Sequence, residues 1–146
     1  MYTLNHITEN EYPVLLQIWE SSVRETHLFL SENDIHFYKA IIQENKVFEQ
    51  VHLRGVRNEK NDIIGFMGVA GEKLEMLFLQ PGASGKGIGK MLLKYAIEVL
   101  GVTMVDVNEQ NEQALGFYKH YGFKVTSRSE FDDTGRPFPI IHLKLV

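Results

Sequence analysis

Residues 77–93 are Leu-Phe-Leu-Gln-Pro-Gly-Ala-Ser-Gly-Lys-Gly-Ile-Gly-Lys-Met-Leu-Leu. This stretch begins with an apolar run typical of a strand, continues through four closely spaced glycines, and ends in helix formers with apolar spacing. Glycine lets a backbone pass close to a ligand, because no Cβ covers the peptide N–H groups. The first turn of the helix adds unpaired N–H donors and the positive end of the helix dipole. The stretch therefore predicts a strand, a glycine loop and a helix that bind a phosphate-bearing cofactor.

Two common phosphate-binding motifs do not fit this loop. A P-loop has Lys and then Ser or Thr directly after its second glycine, but Gly87, five places after Gly82, is followed by Ile88. The dinucleotide motif Gly-x-Gly-x-x-Gly has its third glycine replaced by Lys90, although Asp106 lies near the distance expected for a ribose-binding acid. Neither motif therefore identifies the cofactor.

The composition favours one domain over residues 1–146, because 44% apolar and 11% aromatic residues suffice for a single sizeable core. The net charge of −4 gives no general attraction to nucleic acid or to an anionic membrane, so we expect neither as a partner. The absence of cysteine excludes disulfides and thiolate ligands, and no two histidines have ligand spacing on a helix, so we predict no metal. Without a signal-like or membrane-spanning apolar run, we expect a soluble cytoplasmic protein.

Apolar periodicity predicts the remaining elements. The N-terminal half holds a short strand at residues 2–6, a helix that begins near Thr8 or Asn10, and a second helix that begins at Ser31. The later elements are an antiparallel meander at residues 51–55, 63–70 and 73–79, a helix at 88–99, a strand at 103–107, a helix from Asn111 to Gly122, and a hairpin of residues 124–131 and 139–144. The strand at 103–107 should lie parallel to that at 73–79, because a helix crosses over between them. This order differs from the regular alternation of a dinucleotide-binding sheet.

The glycine loop resembles the acyl-CoA motif of the GNAT superfamily of N-acetyltransferases, written (Gln or Arg)-x-x-Gly-x-(Gly or Ala). Gly87 and Gly89 match its two glycine positions, while Ser84 stands where Gln or Arg is usual. A side chain at position 84 therefore cannot contribute as it does in most of the family, but the backbone N–H of Ser84 stays available.

A second stretch carries the same resemblance. Residues 111–118 follow the family pattern Asn-x-x-Ala-x-x-Phe-Tyr, and Gly-Phe at 122–123 completes it. The two motifs occur in the expected order, and the order of the predicted elements also matches this superfamily. The resemblance implies a mixed α/β (α+β) fold, with a mostly antiparallel sheet flanked by helices and one splayed pair of parallel strands.

The resemblance also implies acetyl-CoA as co-substrate, held between the two splayed strands. Its pantetheine would lie against the strand that ends at Leu79, and its pyrophosphate would meet the N–H groups of the glycine loop. Asn111 could bond to pantetheine or serve only as a helix cap, and both interpretations stay open. The implied cofactor-binding residues are Leu77, Phe78, Leu79, Ser84, Gly85, Lys86, Gly87, Ile88, Gly89, Lys90 and Asn111.

Acetyl transfer needs a neutral amine, donors for the oxyanion and a proton for the departing thiolate. By resemblance, backbone N–H groups near Leu79 are the oxyanion donors and Tyr118 is the general acid, since a phenol of pKa ~10 stays protonated at pH 7. Glu75, on the strand that leads into the cofactor site, is the first candidate for the general base. Glu72 or a chain of water molecules are the alternatives.

The acceptor is expected to be a primary amine, carried by a small molecule or by a peptide or protein. In this fold the connection between the first two helices borders the acceptor site, and residues 24–30 form that connection here. The candidate acceptor-binding residues are Trp19, Ser22, His27, Phe29 and Asn108. The sequence specifies neither the acceptor nor the oligomeric state.

The favoured interpretation is an acyl-CoA-dependent N-acetyltransferase that works by direct attack of the amine in a ternary complex. A CoA-binding regulatory or interaction domain of the same fold, with little or no turnover, is the alternative, and Ser84 suits it. A nucleotide-binding oxidoreductase is a third class, which the failure of the dinucleotide motif disfavours.

Overall fold

The computed structural model describes all 146 residues. Seven strands form one sheet in the order β1-β2-β3-β4-β5-β7-β6. The strands are β1 (Thr3–Asn5), β2 (His52–Arg57), β3 (Ile63–Ala70), β4 (Lys73–Leu79), β5 (Met104–Asn108), β6 (Phe123–Ser129) and β7 (Ile140–Leu145). The helices are α1 (Tyr12–Thr26), α2 (Glu32–Glu44), α3 (Ile88–Glu98) and α4 (Glu112–His120). The predicted meander, the crossover through α3 and the final hairpin are all confirmed.

Every pair of neighbouring strands is antiparallel except β4 and β5. These two pair only at Lys73 with Met104 and at Leu74 with Val105, yet β4 continues to Leu79. β5 instead continues along β7, as far as the pair of Asn108 with Ile140. The two parallel strands therefore diverge beyond Leu74 and leave a wedge between them, which confirms the predicted splay.

Helices cover both faces of the sheet, and adjacent residues of an inner strand point to opposite faces. On β3, Phe66 belongs to the apolar cluster under α1 and α2, whereas Met67 belongs to the cluster under α3 and α4. Both side chains are fully buried. The sheet is thereby held rigidly between two helical layers, and the wedge opens at its centre.

The start of α1 differs from the expectation that Thr8 or Asn10 caps it. Thr8 and Glu11 form the expected capping box, but they open a short 3-10 turn, and α1 begins only at Tyr12. Pro13 then falls in the first turn of α1, where an absent N–H costs no helical hydrogen bond. A second 3-10 turn, Val47–Gln50, precedes β2. No helix combines the length and the apolar character that crossing a membrane requires.

Candidate active site

One cleft, of about 430 Å³, opens where β4 meets the N-terminal ends of α3 and α4; we call it the cofactor cleft. Most of the residues predicted to bind the cofactor line it: Leu77, Phe78, Leu79, Ser84, Gly85, Gly87, Gly89, Lys90 and Asn111. The side chains of the other two point elsewhere. Lys86 is exposed outside the lining, and Ile88 is buried in the core, so each can contribute only its backbone here.

The glycine loop presents a row of unpaired donors to this cleft. No N–H group of residues 84–90 donates to an acceptor within the protein, and the first N–H bonded into the start of α3 is that of Met91, to Gly87 O at 3.0 Å. Gly85 and Gly87 have φ values of 79° and 80°, a left-handed backbone that favours glycine. A Cβ at either position would meet nothing within 4 Å, so the loop is open above these residues. Free N–H groups at a helix N-terminus suit a pyrophosphate.

Tyr118 is buried on α4, with its ring between Phe117 and Phe123 at centroid distances of 5.2 and 5.8 Å. Its hydroxyl makes no hydrogen bond within the protein. Every side-chain N or O atom that is fully shielded from solvent does have a hydrogen-bond partner, so the Tyr118 hydroxyl is not fully shielded. The hydroxyl is therefore accessible from the cofactor cleft, which Tyr118 lines. Burial raises the pKa of Tyr118 well above its ordinary value, so the phenol is protonated at neutral pH and can donate a proton.

The end of β4 supplies a further donor. The N–H of Gln80 donates to Ile64 O on β3 at 2.8 Å. Because the N–H groups of successive strand residues point to opposite sides, the N–H of Leu79 points away from β3 and toward the wedge. Asn111 caps α4, because its side-chain oxygen accepts from the N–H of Ala114 at 3.2 Å. The amide nitrogen of Asn111 has no partner within the protein, so the cap leaves it available to the cleft that Asn111 lines.

A second cleft, of about 390 Å³, lies on the other side of the wedge; we call it the acceptor cleft. Its walls come from α1, the α1–α2 connection, α2, β4, β5, the β6–β7 connection (residues 130–139) and the start of β7. Of the predicted residues, Trp19, His27, Glu75 and Asn108 line it. The lining also contains residues that the sequence did not predict for this site: Tyr38, Lys73, Asp106, Asp132, Asp133 and Phe138.

The β6–β7 connection is fastened to α2 by long-range contacts. The hydroxyl of Tyr38 donates to the Asp132 carboxylate, and Arg136 forms an ion pair of 2.7 Å with Asp34. The Arg136 guanidinium also lies over the ring of Phe37, 3.6 Å from its centroid. These contacts turn a hairpin connection into a wall of the acceptor cleft. The pair of aspartates at 132–133 was the only local signal of that role.

Carboxylates dominate the charge of the acceptor cleft. Burial opposes the ionisation of Asp106, but hydrogen bonds from Lys73 and His142 outweigh it and lower the pKa of that carboxyl. The Lys73 ammonium lies 2.5 Å from Asp106 and 3.8 Å from Glu75, so one cation is shared among the acids. The remaining lining acids are Asp132 and Asp133. The cleft therefore carries excess negative charge that favours a cationic ligand.

Adjacent stripes of α1 face different clefts. Trp19, Val23 and His27 are spaced four residues apart and line the acceptor cleft. Ser22, predicted to bind the acceptor, lies instead on the neighbouring stripe with Thr26 and lines the cofactor cleft. The structure therefore places Ser22 beside the other cleft, and its role in binding the acceptor stays a prediction.

His27 and Phe78 line both clefts, so they mark the junction. Phe29 lines neither cleft, but its ring backs His27 at 5.4 Å. Burial lowers the pKa of His27 to about 4, so its imidazole is neutral at pH 7. Of the two candidate acids for the general base, Glu75 reaches the acceptor cleft, whereas Glu72 lies outside both clefts and accepts a hydrogen bond from Thr103.

Residues 29–142 match the family model described as an acetyltransferase (GNAT) domain. Peptidyl-lysine N-acetyltransferase YjaB of Salmonella typhimurium is 39% identical to this chain over 145 residues, which cover 98% of the chain and 97% of that protein.

Two solved structures share the fold. The solution structure of apo YjaB from Escherichia coli superimposes with a TM-score of 0.88 at 36% identity, covering 100% of this chain and 98% of that one. The crystal structure of PaiA N-acetyltransferase from Thermoplasma acidophilum, in complex with coenzyme A, gives a TM-score of 0.79 at 22% identity, covering 100% of this chain and 99% of that one.

Proposed function

The chain belongs to the GNAT acetyltransferase family and is an acyl-CoA-dependent N-acetyltransferase; on that premise we propose that it acetylates the side-chain amine of a lysine in a peptide or protein. We further propose that the amine attacks directly, with both substrates bound. The observation that carries this proposal is the junction of the two clefts, at which His27 and Phe78 belong to both linings. The amine and the acyl group can meet there without an intermediate carrier on the protein.

The cofactor cleft would hold acetyl-CoA, whose thioester supplies the acetyl group. In this proposal the free N–H groups of residues 84–90 and the ammonium of Lys90 bind the pyrophosphate. Leu77, Phe78 and Leu79 flank the pantetheine, and the free amide of Asn111 donates to it. The donors are mainly backbone groups, so the loss of the usual side chain at Ser84 removes little of this site.

Two groups in the cofactor cleft would assist the reaction. The N–H of Leu79 points into the wedge and can donate to the carbonyl oxygen as negative charge develops there. The hydroxyl of Tyr118 is protonated, accessible and unpaired, and it can give its proton to the departing sulfur. We propose Tyr118 as the general acid on these grounds.

The acceptor cleft suits a long apolar side chain that ends in a cation. Trp19, Leu30 and Phe138 offer apolar walls to the methylene stem of a lysine, and Glu75, Asp132 and Asp133 attract its ammonium group. The YjaB relatives, named peptidyl-lysine N-acetyltransferases, support the same acceptor class. We also propose that residues 1–146 act as one N-acetyltransferase domain, because the sheet joins strands from both ends of the chain.

The test offers acetyl-CoA with four acceptors. Three are peptides of one sequence. The first has a free lysine and a blocked N-terminus, the second has a free N-terminus and norleucine in place of lysine, and the third has a blocked N-terminus and norleucine, so that it offers no amine. The fourth is spermidine. Thiol release gives the rate, and fragment masses locate the acetyl group. We expect acetylation of the lysine side chain alone. Preferential acetylation of the free N-terminus or of spermidine, or no transfer to any amine, would contradict the proposal.

A further inference from the structure

We propose that His27 is a catalytic residue, which accepts a proton from the attacking amine through its Nε2 atom at the junction of the two clefts. The inference rests on the proposed function and assigns a step of that reaction. His27 is the one titratable side chain that lines both clefts. Glu75, the base candidate from the sequence, lines the acceptor cleft alone, with its side chain 38% exposed and Lys73 nearby at 3.8 Å.

The hydrogen bonds around His27 specify its tautomer. The hydroxyl of Thr26 donates to the Ser22 carbonyl at 2.8 Å, and a hydroxyl has only one proton to donate. The contact of 2.7 Å between Thr26 Oγ1 and His27 Nδ1 must therefore be a bond that Nδ1–H donates. The other ring nitrogen, Nε2, then carries no proton and has no partner within the protein. It is available as an acceptor.

The backbone and the ring of His27 are both fixed in position. The backbone N–H of His27 donates to Val23 O at 2.8 Å as the last bond of α1, and the ring packs against Phe29. Because Ser22 and Thr26 both lie at the C-terminal end of α1, one turn apart, the helix itself carries the bonding pattern that orients the imidazole. A proton acceptor needs such a fixed direction, since proton transfer depends on reach before it depends on pKa.

The charge state of His27 limits which proton it can take. With a pKa of about 4, His27 cannot remove a proton from a free ammonium group of pKa ~10.4. As the amine nitrogen bonds to the carbonyl carbon, however, its lone pair is used and its N–H protons become acidic. Charged groups on the surrounding walls are Glu25, Lys73, Glu75, Lys90, Asp106, Asp132 and Asp133.

The step balances with no further reactant. The bound ammonium first loses one proton to water through the open clefts. The neutral amine then forms the C–N bond as the C–S bond breaks, one further proton passes from its nitrogen to His27 Nε2, and Tyr118 gives one proton to sulfur. The step leaves His27 as an imidazolium and Tyr118 as a phenolate. His27 then gives its proton to water and Tyr118 takes one from water through the open clefts, which restores both groups. The products are an amide and a free thiol.

The test compares variants at the same position. His27→Asn keeps a donor that can bond to Thr26 and removes the Nε2 acceptor, and His27→Ala removes both and leaves space for a small molecule. For both variants we expect kcat to fall about 10²-fold, the lower end of the range for a lost general base, because a base of low pKa is a weak one. The acetyl-CoA Kd and the melting temperature are measured alongside. Glu75→Gln is the control in the acceptor cleft.

Imidazole added to His27→Ala provides the decisive readout. We expect turnover of this variant to rise with the concentration of neutral imidazole. Turnover of the wild type and of Glu75→Gln should not rise. Wild-type kcat in both His27 variants, or a slow His27→Ala that imidazole leaves unchanged, would overturn the assignment. A wild-type protein that transfers acetyl to no amine would instead refute the proposed function, so the two failures are distinguishable.

Discussion

The cofactor cleft and the acceptor cleft have similar volumes and meet at His27, but the chain builds them in different ways. Apart from a few residues of α1, the cofactor cleft is lined by two continuous segments, residues 77–90 and 111–121. The acceptor cleft takes its walls from two helices, three strands and two connections. A site made of local segments leaves a motif in the sequence, whereas one assembled from distant segments does not.

The two clefts also use different chemical groups. The cofactor cleft presents backbone N–H groups, whose direction is specified by glycine conformations and by the start of α3. The acceptor cleft presents side-chain carboxylates, and long-range bonds such as Arg136 to Asp34 place the connection that carries two of them. Substitution of a residue that binds one substrate should therefore change the affinity or KM for that substrate and leave the other substrate unaffected.

The largest effect is expected for Tyr118→Phe in the cofactor cleft. The ring and its packing persist, but the proton for sulfur is lost, so kcat should fall by roughly 10²–10⁴-fold, the range for a lost general acid. Rates at saturating acetyl-CoA and acceptor measure this, with a CoA titration and a thermal melt as controls. A Phe variant as fast as the wild type would show that another group supplies the proton.

Gly87→Glu should abolish most of the binding in the cofactor cleft. The N-terminal end of α3 attracts the pyrophosphate by up to about 2 kcal/mol, and a carboxylate at position 87 would instead repel it. The CoA Kd should therefore rise by roughly 10²-fold or more. Gly101→Glu is the matched control, because Gly101 also has a left-handed φ, of 72°, and open space, but lies outside both clefts. Calorimetry with equal CoA affinity in the two variants would contradict the loop assignment.

Asp133→Asn should affect only the acceptor cleft. Asp133 is exposed and forms no ion pair, and removing one charge near a bound ammonium should cost about 1 kcal/mol, or roughly a fivefold rise in the acceptor KM. Asp62→Asn makes the same change of net charge at an exposed site outside both clefts. If the two variants shared one acceptor KM, the carboxylate at 133 would have no part in binding.

Glu11→Gln should change neither cleft, yet destabilise the protein by about 2–3 kcal/mol, because it leaves the buried Arg57 without its bidentate partner. The hydrogen bond to Arg57 lowers the pKa of Glu11 from 4.5 to about 2. A depressed folded-state pKa stabilises above the unfolded value, and this contribution is lost as pH falls from about 4.5 to about 2. Urea unfolding at pH 7 and pH 3 should show the difference shrinking at low pH. Glu9→Gln, in the same turn but without an ion pair, should match the wild type at both values.

The sequence was sufficient for the elements whose signals are local. The helix start at Ser31, the cap at Asn111 and the loop at Gly87 all lie where the residues predicted them. The start of α1 could not be predicted, because one capping box suits a 3-10 turn as well as an α-helix. The Asp106 network was also hidden, since Lys73 and His142 approach it from different strands and no spacing in the chain links the three.

Ser22 illustrates a finer limit. Its position in the sequence, between Trp19 and His27, suggested the acceptor site. Whether a helix residue faces one cleft or its neighbour depends on a rotation of about 100° per residue relative to the wedge, and the orientation of α1 is set by packing on the sheet. Residues near a junction can thus be identified from the sequence, but their division between clefts requires the structure.

In the proposed mechanism the two clefts hold both substrates at once, and the amine attacks directly at their junction. Initial rates measured over a grid of acetyl-CoA and lysine-peptide concentrations distinguish this mechanism from transfer through an acetylated protein. Direct attack predicts double-reciprocal lines that intersect, and an intact mass of the protein that acetyl-CoA alone leaves unchanged. Parallel lines, together with a protein that gains one acetyl group which it then passes to the peptide, would contradict the account.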